Sequence, residues 1–427
     1  MHRCVLALFL LLAACAGPPR APSRVVVHAH LRAATSGDYP PLSVWKNDHV
    51  DGFAPALVVA FASAQRMELG WTRFRWAGLS EDLRAGRFDL AADGITVRPE
   101  RSIGGRFTVP VARGGAILLL RRPAWAASAR EGPTPLAAID RPALRVVVNQ
   151  GGHLERVARG VLHAANIRAI ADNEAVRAAF ARGEADAAMT NTFEAPRWAA
   201  GAPGLEQLGP LTEDVTAIWV HVDHGELADR LDDWLLDEEE SGRLAALRTR
   251  WLGPGAGPRA ALPVSALLAA TAERLALMPF VAAAKQRTGK AVEDAAQEDR
   301  VIAASANAVM TAATTRGSTL PPREVIDAFF RAQIDAAKAV QRTAAGRGAP
   351  TRPDGDATYS LDDELRPAIA RISARMARLV VRIPRGIERA AIIAEARIDL
   401  ASSGLDRELI DRLAATIAAL GEASPPR

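Results

Sequence analysis

The chain has 427 residues, enough for two or three domains that each bury a core. Apolar residues make up 49% and charged residues 24%, which excludes a disordered chain. The net charge of +4 has no basic block behind it, so the electrostatic footprint of a nucleic-acid binder is missing. No zinc-type Cys/His cluster, Gly-rich P-loop or dinucleotide fingerprint occurs in the sequence.

At the N-terminus, His2 and Arg3 precede the apolar run Val5 to Leu12, which is too short to span a bilayer as a helix. Residues 1–23 therefore read as an export signal. Leu12-Ala-Ala-Cys15 resembles a bacterial lipoprotein cleavage site, in which Cys15 would carry the lipid anchor, and Ala14-Cys-Ala16 equally suits an ordinary signal peptidase. Cys4 and Cys15 are the two cysteines, and both lie here, so no disulfide is expected in the exported protein.

From residue 24 to 253 strand and helix signals alternate. Leu31 to Thr35 is a strand that runs into the turn Gly37-Asp-Tyr-Pro-Pro41. Ala56 to Met67 is an amphipathic helix, and Ser80 to Arg84 a short one before the buried strand Phe88 to Ala92. Ala143 to Val148 is a buried strand that ends in Asn149-Gln-Gly-Gly-His153. A helix over Glu174 to Arg182, a strand over Ala185 to Met189 and helices near Glu226–Leu236 and Ser241–Trp251 follow. Repeated βα units predict largely parallel sheets covered by helices, and this length suits two lobes with a cleft between them.

Leu252-Gly-Pro-Gly-Ala-Gly-Pro258 marks a linker (254–262), beyond which the strand signal disappears. Helices are predicted at 263–288, 295–316, 322–345, 361–382, 386–404 and 406–420, with a break from Gly346 to Tyr359. In the first, Arg274 and Lys285 are eleven residues apart and share one face, roughly 16 Å apart along the axis, with Pro279 a potential kink between them. Taken alone, two such cations are either a solvated surface pair or a bracket for a small dianion.

Gly37-Asp-Tyr39, Gly94-Ile-Thr-Val-Arg-Pro-Glu-Arg101, Phe107-Thr-Val-Pro110 and Gly183-Glu-Ala-Asp186 resemble the periplasmic amino-acid-binding proteins of ABC transporters. Asn149-x-Gly-Gly152 and Met189-Thr-x-x-x-Glu194-Ala are closer to an enzymatic branch of that fold, the cyclohexadienyl dehydratases. These convert prephenate to phenylpyruvate or arogenate to phenylalanine. The resemblance implies that Glu194 is a general acid and that Asp38, Trp76, Thr96, Arg101, Asn149, Gly152 and Asn191 contact substrate. The chemistry is coherent, because a leaving hydroxide needs a proton and only a buried carboxyl holds one near neutrality. Arg101 would fork a carboxylate, and Asn149 with the Gly151–Gly152 backbone is either an anion-binding turn or a plain tight one. Trp76 is either an apolar wall for the ring or a core residue.

Three positions depart from that pattern. Asn191 replaces an Asp that pairs with an α-amino group, which predicts preference for prephenate. His153 replaces a small hydroxyl residue and has no assigned role. Ala54 stands where Asp is frequent.

A second resemblance covers nearly all of residues 263–421. Ala272-Glu-Arg-Leu275, Val281-Ala-Ala-Ala-Lys285, Val292-Glu-Asp294, Gln297-Glu298, Gln333-Ile-Asp-Ala-Ala-Lys-Ala-Val-Gln341 and Ile372-Ser-Ala-Arg-Met376 resemble the secreted all-helical chorismate mutases. Their reaction is a pericyclic rearrangement that needs no cofactor, only positioning and stabilisation of charge on an ether oxygen. The resemblance implies that Arg274 and Arg375 bind the carboxylates and that Lys285 and Gln341 donate to the ether oxygen. Glu298, with the Asp294 segment, would receive the ring hydroxyl. Gln297 replaces an arginine, with Arg300 one turn later as a stand-in, and Ala337 replaces a small hydroxyl residue. The resemblance leaves open a homodimer through this region, although one chain suffices for the site.

The sequence thus predicts a multidomain chain: an N-terminal α/β two-lobed periplasmic-binding-protein fold and a C-terminal all-α chorismate mutase, acting on chorismate and prephenate. A solute-binding receptor fused to a mutase is the alternative.

Overall fold

The computed structural model describes residues 29–121, 136–200, 202, 204–345, 352 and 358–422. Cys15 and the expected signal at 1–23 lie outside the described residues. The chain opens with β1 (His30–Thr35), the short strands β2 (Asp38–Tyr39), β3 (Ser43–Lys46) and β4 (His49–Asp51), and α1 (Phe53–Ala64). β5 (Glu68–Arg73), α2 (Leu79–Arg84), β6 (Leu90–Ala91), α3 (Pro99–Gly104) and β7 (Gly105–Phe107) complete the first pass through one lobe. β8 (Ala112–Gly114) crosses to a second lobe: β9 (Ala116–Arg121), α4 (Leu136–Ile139), β10 (Arg145–Asn149), α5 (His153–Val161), β11 (Asn166–Ile170), α6 (Asn173–Ala181), β12 (Ala187–Asn191), α7 (Ala195–Ala199) and β13 (Leu205–Leu208). β14 (Asp214–Thr216) returns, followed by β15 (Trp219–His221), α8 (Gly225–Glu240) and α9 (Arg243–Leu252).

Each lobe carries a five-stranded sheet, ordered β5-β1-β6-β15-β7 and β11-β10-β12-β9-β13. The largely parallel sheets expected from sequence are in fact mixed. β1 is parallel to β5 and β6, and β10 to β11 and β12, but β15 and β9 enter antiparallel. The cause is connectivity: β15 rejoins the first sheet after the chain returns from the second, and β9 opens the second sheet on arrival. β8 and β14 pair antiparallel and form the ribbon between the lobes.

The C-terminal region is helical: α10 (Leu262–Ala276), α11 (Met278–Thr288), α12 (Ala295–Arg316), α13 (Arg323–Ala344), α14 (Arg366–Val380) after a π-turn at Leu361–Leu365, α15 (Arg389–Asp399) and α16 (Arg407–Glu422). The single helix expected at 263–288 is interrupted at Leu277, so Pro279 falls in the first turn of α11. There its missing N–H costs no helical hydrogen bond. By length and composition, Leu262–Thr288 is apolar enough to cross a membrane, but it lies mostly buried inside the protein.

Core packing does not follow the domain division suggested by the linker. One continuous apolar core joins the first lobe to the helical region, including Phe61, Trp219, Leu267, Phe329 and Leu413. The second lobe has separate cores on the two faces of its sheet, around Val146 and Leu154 on one side and Val147 and Phe180 on the other. That split follows from strand alternation: successive residues of β10 point to opposite faces.

Candidate active sites

The cleft between the lobes is lined by Tyr39, Trp76, Thr96, Asn149, Asn191 and Phe193, among others. The lobes are drawn together, and the cavity between them measures ≈ 30 Å³. That is room for about one water, against roughly 300–1,000 Å³ for pockets that hold small molecules, so a ten-carbon acid enters only when the lobes part. Gly151 shows how close the approach is. Its φ is +74°, and a Cβ there would lie 2.6 Å from Ala77 Cα in the first lobe. Only glycine satisfies both conditions.

Glu194 is fully buried at the head of α7, three residues past the end of β12 and next in sequence to the cleft residue Phe193. Its carboxyl accepts from Thr190 Oγ1 at 2.8 Å and from Asn173 Nδ2 at 2.6 Å. Burial outweighs these contacts and raises its pKa to about 8. The group is therefore protonated at neutral pH and can donate. Asn173 heads α6 in the same lobe as Glu194, and its own N–H donates to Asp38 Oδ2, 3.0 Å away in the first lobe. Asp38 thus stands as a cross-lobe bridge to the partner of Glu194.

Asn191, the departure from the amino-acid binders, is fully engaged. Its Oδ1 accepts from the N–H groups of Phe193 and Glu194 at 2.8 and 3.0 Å, and its Nδ2 donates to Tyr39 Oη. Trp76 lines the cleft and meets Tyr39 and Phe74 edge-on, with ring centroids 5.5 and 5.2 Å apart. Asn149 and Gly152 line it too, and Asn149 Nδ2 is buried without a partner among the described residues.

Arg101 does not stand in the wall of the cleft as a carboxylate fork. It is 1% exposed, and its Nη1 donates to the Thr96 carbonyl at 3.0 Å, so Thr96 separates it from the cavity. Glu100, its neighbour, is taken by Arg98 and Arg156 at 2.9 and 2.8 Å. Arg101 has no carboxylate partner among the described residues, and burial lowers its pKa well below the usual range. A buried guanidinium with no counter-charge is costly unless an anion reaches it.

The helical region repeats this pattern. Arg274 is buried on α10, with burial lowering its pKa to about 10, and its Nη1 donates to the Gln333 carbonyl at 2.9 Å. It too lacks a carboxylate partner among the described residues. Lys285 Nζ donates to the Val292 carbonyl at 3.0 Å. Burial, then the charge of Arg366, lowers its pKa, opposed by Asp294 and Glu298. Gln341 Nε2 reaches Met278 Sδ at 3.4 Å and leaves its Oε1 buried with no partner among the described residues. Asp294 caps α12 by accepting from the Gln297 N–H at 3.0 Å, and Glu298 takes Lys338 at 2.9 Å. Arg300 Nη2 donates to Gln297 Oε1 at 2.8 Å, which sets its guanidinium beside the position where an arginine was expected.

Arg375 is ion-paired with Glu273, the neighbour of Arg274, and donates from Nη1 to the Phe107 carbonyl at 2.5 Å, which ties the helical region to the first lobe. Arg366, whose charge bears on Lys285, is itself ion-paired with Asp362. Arg366 and Arg375 are nine residues apart on α14, and nine steps of about 100° make two and a half turns, hence opposite faces. Asn173, Arg366 and Lys338 were not singled out in the sequence. The first answers Glu194 across 21 residues and the others close a site between separate helices.

Residues 31–254 match the family described as bacterial extracellular solute-binding proteins, family 3. The chain belongs to this family. Residues 265–342 match chorismate mutase type II, so the helical region is a chorismate mutase-type domain. The cyclohexadienyl dehydratase of Pseudomonas aeruginosa is 30% identical over 232 residues, 54% of this chain and 85% of that protein. Among solved structures, an ancestral amino acid-binding protein described as a precursor of cyclohexadienyl dehydratase has 24% identity and a TM-score of 0.48, covering 52% of this chain and 96% of its own. A binding component of an ABC transporter from Wolinella succinogenes, complexed with lysine, has 22% identity and a TM-score of 0.48, covering 53% and 97%.

Proposed function

We propose that the chain is an exported bifunctional enzyme of aromatic amino acid biosynthesis. Its helical domain (263–421) converts chorismate to prephenate, and its two-lobed domain (24–253) converts prephenate to phenylpyruvate. The observation that carries the reading is Glu194, a buried carboxyl that keeps its proton at neutral pH beside the cleft. A substrate that parts the lobes brings its ring hydroxyl to this group. Proton transfer from Glu194 turns the hydroxyl into water as the C–O bond breaks. The ring carboxylate leaves as carbon dioxide, its electron pair enters the ring, and aromaticity drives the step. Solvent then reprotonates Glu194. Arg101, behind Thr96, supplies positive potential for a substrate carboxylate.

In the helical domain Arg274 and Lys285 receive the chorismate dianion, with Arg366 in the role first given to Arg375. Lys285 and Gln341 face the ether oxygen, where contacts that strengthen in the transition state raise kcat. Glu298 and the Asp294 turn take the ring hydroxyl, and Arg300 compensates for Gln297. The uncharged Asn191 supports prephenate over an amino-acid ligand, and so disfavours a receptor function.

Purified protein given chorismate should yield phenylpyruvate. Prephenate that accumulates unconsumed would refute the dehydratase half, and tight calorimetric binding of one amino acid without turnover would favour the receptor. The apolar N-terminal run and the extracellular family support a periplasmic location, with Cys15 as lipid anchor. Mass spectrometry of the mature N-terminus tests that anchor, and light scattering tests pairing of helical domains.

A further inference from the structure

We propose that Lys338 is a positioning residue of the mutase site: by holding Glu298 it keeps that carboxylate off Lys285, whose ammonium stays free for the substrate. The proposal rests on the mutase reading above. A lysine that donates to an ether oxygen in the transition state loses that advantage if a neighbouring acid captures it first. Here the competition is local. Glu293, Asp294 and Glu298 closely follow Val292, whose carbonyl accepts from Lys285 Nζ at 3.0 Å. Burial and then Arg366 lower the pKa of Lys285, and the charges of Asp294 and Glu298 oppose them, so both acids are near enough to be felt.

Each of the three carboxylates is engaged elsewhere. Glu293 is ion-paired with Arg342. Asp294 caps α12, its Oδ1 accepting from the Gln297 N–H at 3.0 Å. Glu298 Oε2 accepts from Lys338 Nζ at 2.9 Å. Lys338 and Arg342 are four residues apart on α13, about 40° around the helix, so one face of α13 presents both cations to this acidic segment. The Lys338 contact is the stronger of the two. Its side chains are 18% and 21% exposed, against 55% and 65% for Arg342 and Glu293, so solvent screens it less. Asp335, one turn earlier on α13, lies 3.4 Å from Lys338 Nζ and fixes the ammonium from its other side.

The result is a division of labour around Lys285. Among the described residues it has no carboxylate partner, and its bond to the Val292 carbonyl uses one of three ammonium donors. Two donors remain for the ether oxygen and a substrate carboxylate. Glu298 Oε1 receives the Asp294 N–H at 3.5 Å, a long contact that leaves this oxygen to the ring hydroxyl. Removing Lys338 frees a carboxylate whose charge Lys285 already feels. Substrate must then break a Glu298–Lys285 pair before Lys285 can serve it.

The test is a double-mutant cycle on chorismate turnover by the full-length chain: wild type, Lys338→Met, Glu298→Gln and the double variant. Circular dichroism and thermal unfolding report folding in each, and Lys338→Gln substitutes if the methionine variant does not fold. Lys338→Met should lower mutase kcat/KM at least about tenfold, the cost of displacing one charge-assisted contact. Lys338→Arg, which can still hold Glu298, should stay within about threefold of wild type. In the Glu298→Gln background no carboxylate remains there to capture Lys285, so Lys338→Met should change kcat/KM by less than about threefold. A loss that persists in full in that background shows that Lys338 acts other than through Glu298 and overturns the proposal. So does a folded Lys338→Met enzyme with wild-type turnover, and both outcomes leave the mutase reading intact. A wild type that leaves chorismate unconverted overturns both.

Discussion

Replacing Glu194 with glutamine tests the acid and its cost together. The folded carboxyl has a pKa of about 8 against 4.5 for a free one, so the folded state holds a proton that the unfolded chain releases. Below the free value both states are protonated, and burial of this group carries no electrostatic cost. Between about 4.5 and about 8 stability falls by ~1.4 kcal/mol per pH unit, and above the folded pKa it is level again. At pH 7 the accumulated cost is ~3 kcal/mol. Glutamine has the same shape, keeps a polar group for Thr190 and Asn173, and cannot ionise. Glu194→Gln should therefore be more stable than wild type by ~3 kcal/mol at pH 7, with no difference near pH 4. It should also lose ~10²–10⁴ in dehydratase kcat with little change in KM, and release prephenate from chorismate. Urea unfolding across that pH range, beside a coupled chorismate assay, measures both. A stability difference that does not vary with pH, or a kcat within tenfold of wild type, would refute the reasoning. The wild-type dehydratase should itself lose activity above about pH 8, as Glu194 gives up its proton.

Arg366→Ala should lower mutase kcat/KM by ~10–100-fold, the cost of one charge-assisted contact to a dianion, with little effect on stability. Arg375→Ala should do the reverse: it leaves Glu273 buried without its partner, at ~3–5 kcal/mol by thermal or urea unfolding, with the mutase chemistry spared. Arg300→Ala should cost the mutase about tenfold in kcat/KM, read by chorismate consumption, if its guanidinium serves in place of Gln297. Gly151→Ala, which sets a Cβ against Ala77, should cut dehydratase kcat/KM at least tenfold, while chorismate consumption is unchanged.

The sequence revealed the architecture wherever the signal was local. Helix periodicity located nearly every helix of the C-terminal region, and the buried run Ala143–Val148 located β10, because side-chain pattern along one element is all that these need. It missed most of the short strands, β7, β8, β14 and β15 among them, since these are defined by partners far along the chain and carry two or three residues of pattern each. Sites divided the same way. Glu194 and Arg274 were legible because each sits in a distinctive local motif. The choice between Arg366 and Arg375 was not, because it depends on which face of α14 lies toward Lys285 and which meets the first lobe. Asn173 shows the same limit: an asparagine at a helix start ordinarily reads as a cap, and its role appears once Glu194 is placed beside it.

The interface has a consequence for how the two activities coexist. Arg113, in the ribbon strand β8, is held by both carboxylate oxygens of Asp399 at 2.7 and 2.6 Å and lies 3.3 Å from Glu395, all on α15. Arg371 and Arg375 of α14 bind backbone carbonyls at Ser102, Ile103 and Phe107, and Arg378 pairs with Asp232 of α8 at 2.9 Å. With a shared apolar core beneath these contacts, the first lobe, the near strand of the ribbon and the helical domain form one frame. The second lobe has its own cores and shares Phe193 with the larger one, so it has the fewest ties to that frame. On the proposed reading, opening for prephenate is a motion of that lobe over a fixed mutase, and Arg274, Lys285 and Gln341 are expected to keep their geometry whether the cleft is open or shut. On that same reading the helical domain contributes to the dehydratase by anchoring its hinge, which accounts for Arg375 of α14 being committed to the interface while Arg366, on the opposite face, is the arginine proposed for the dianion.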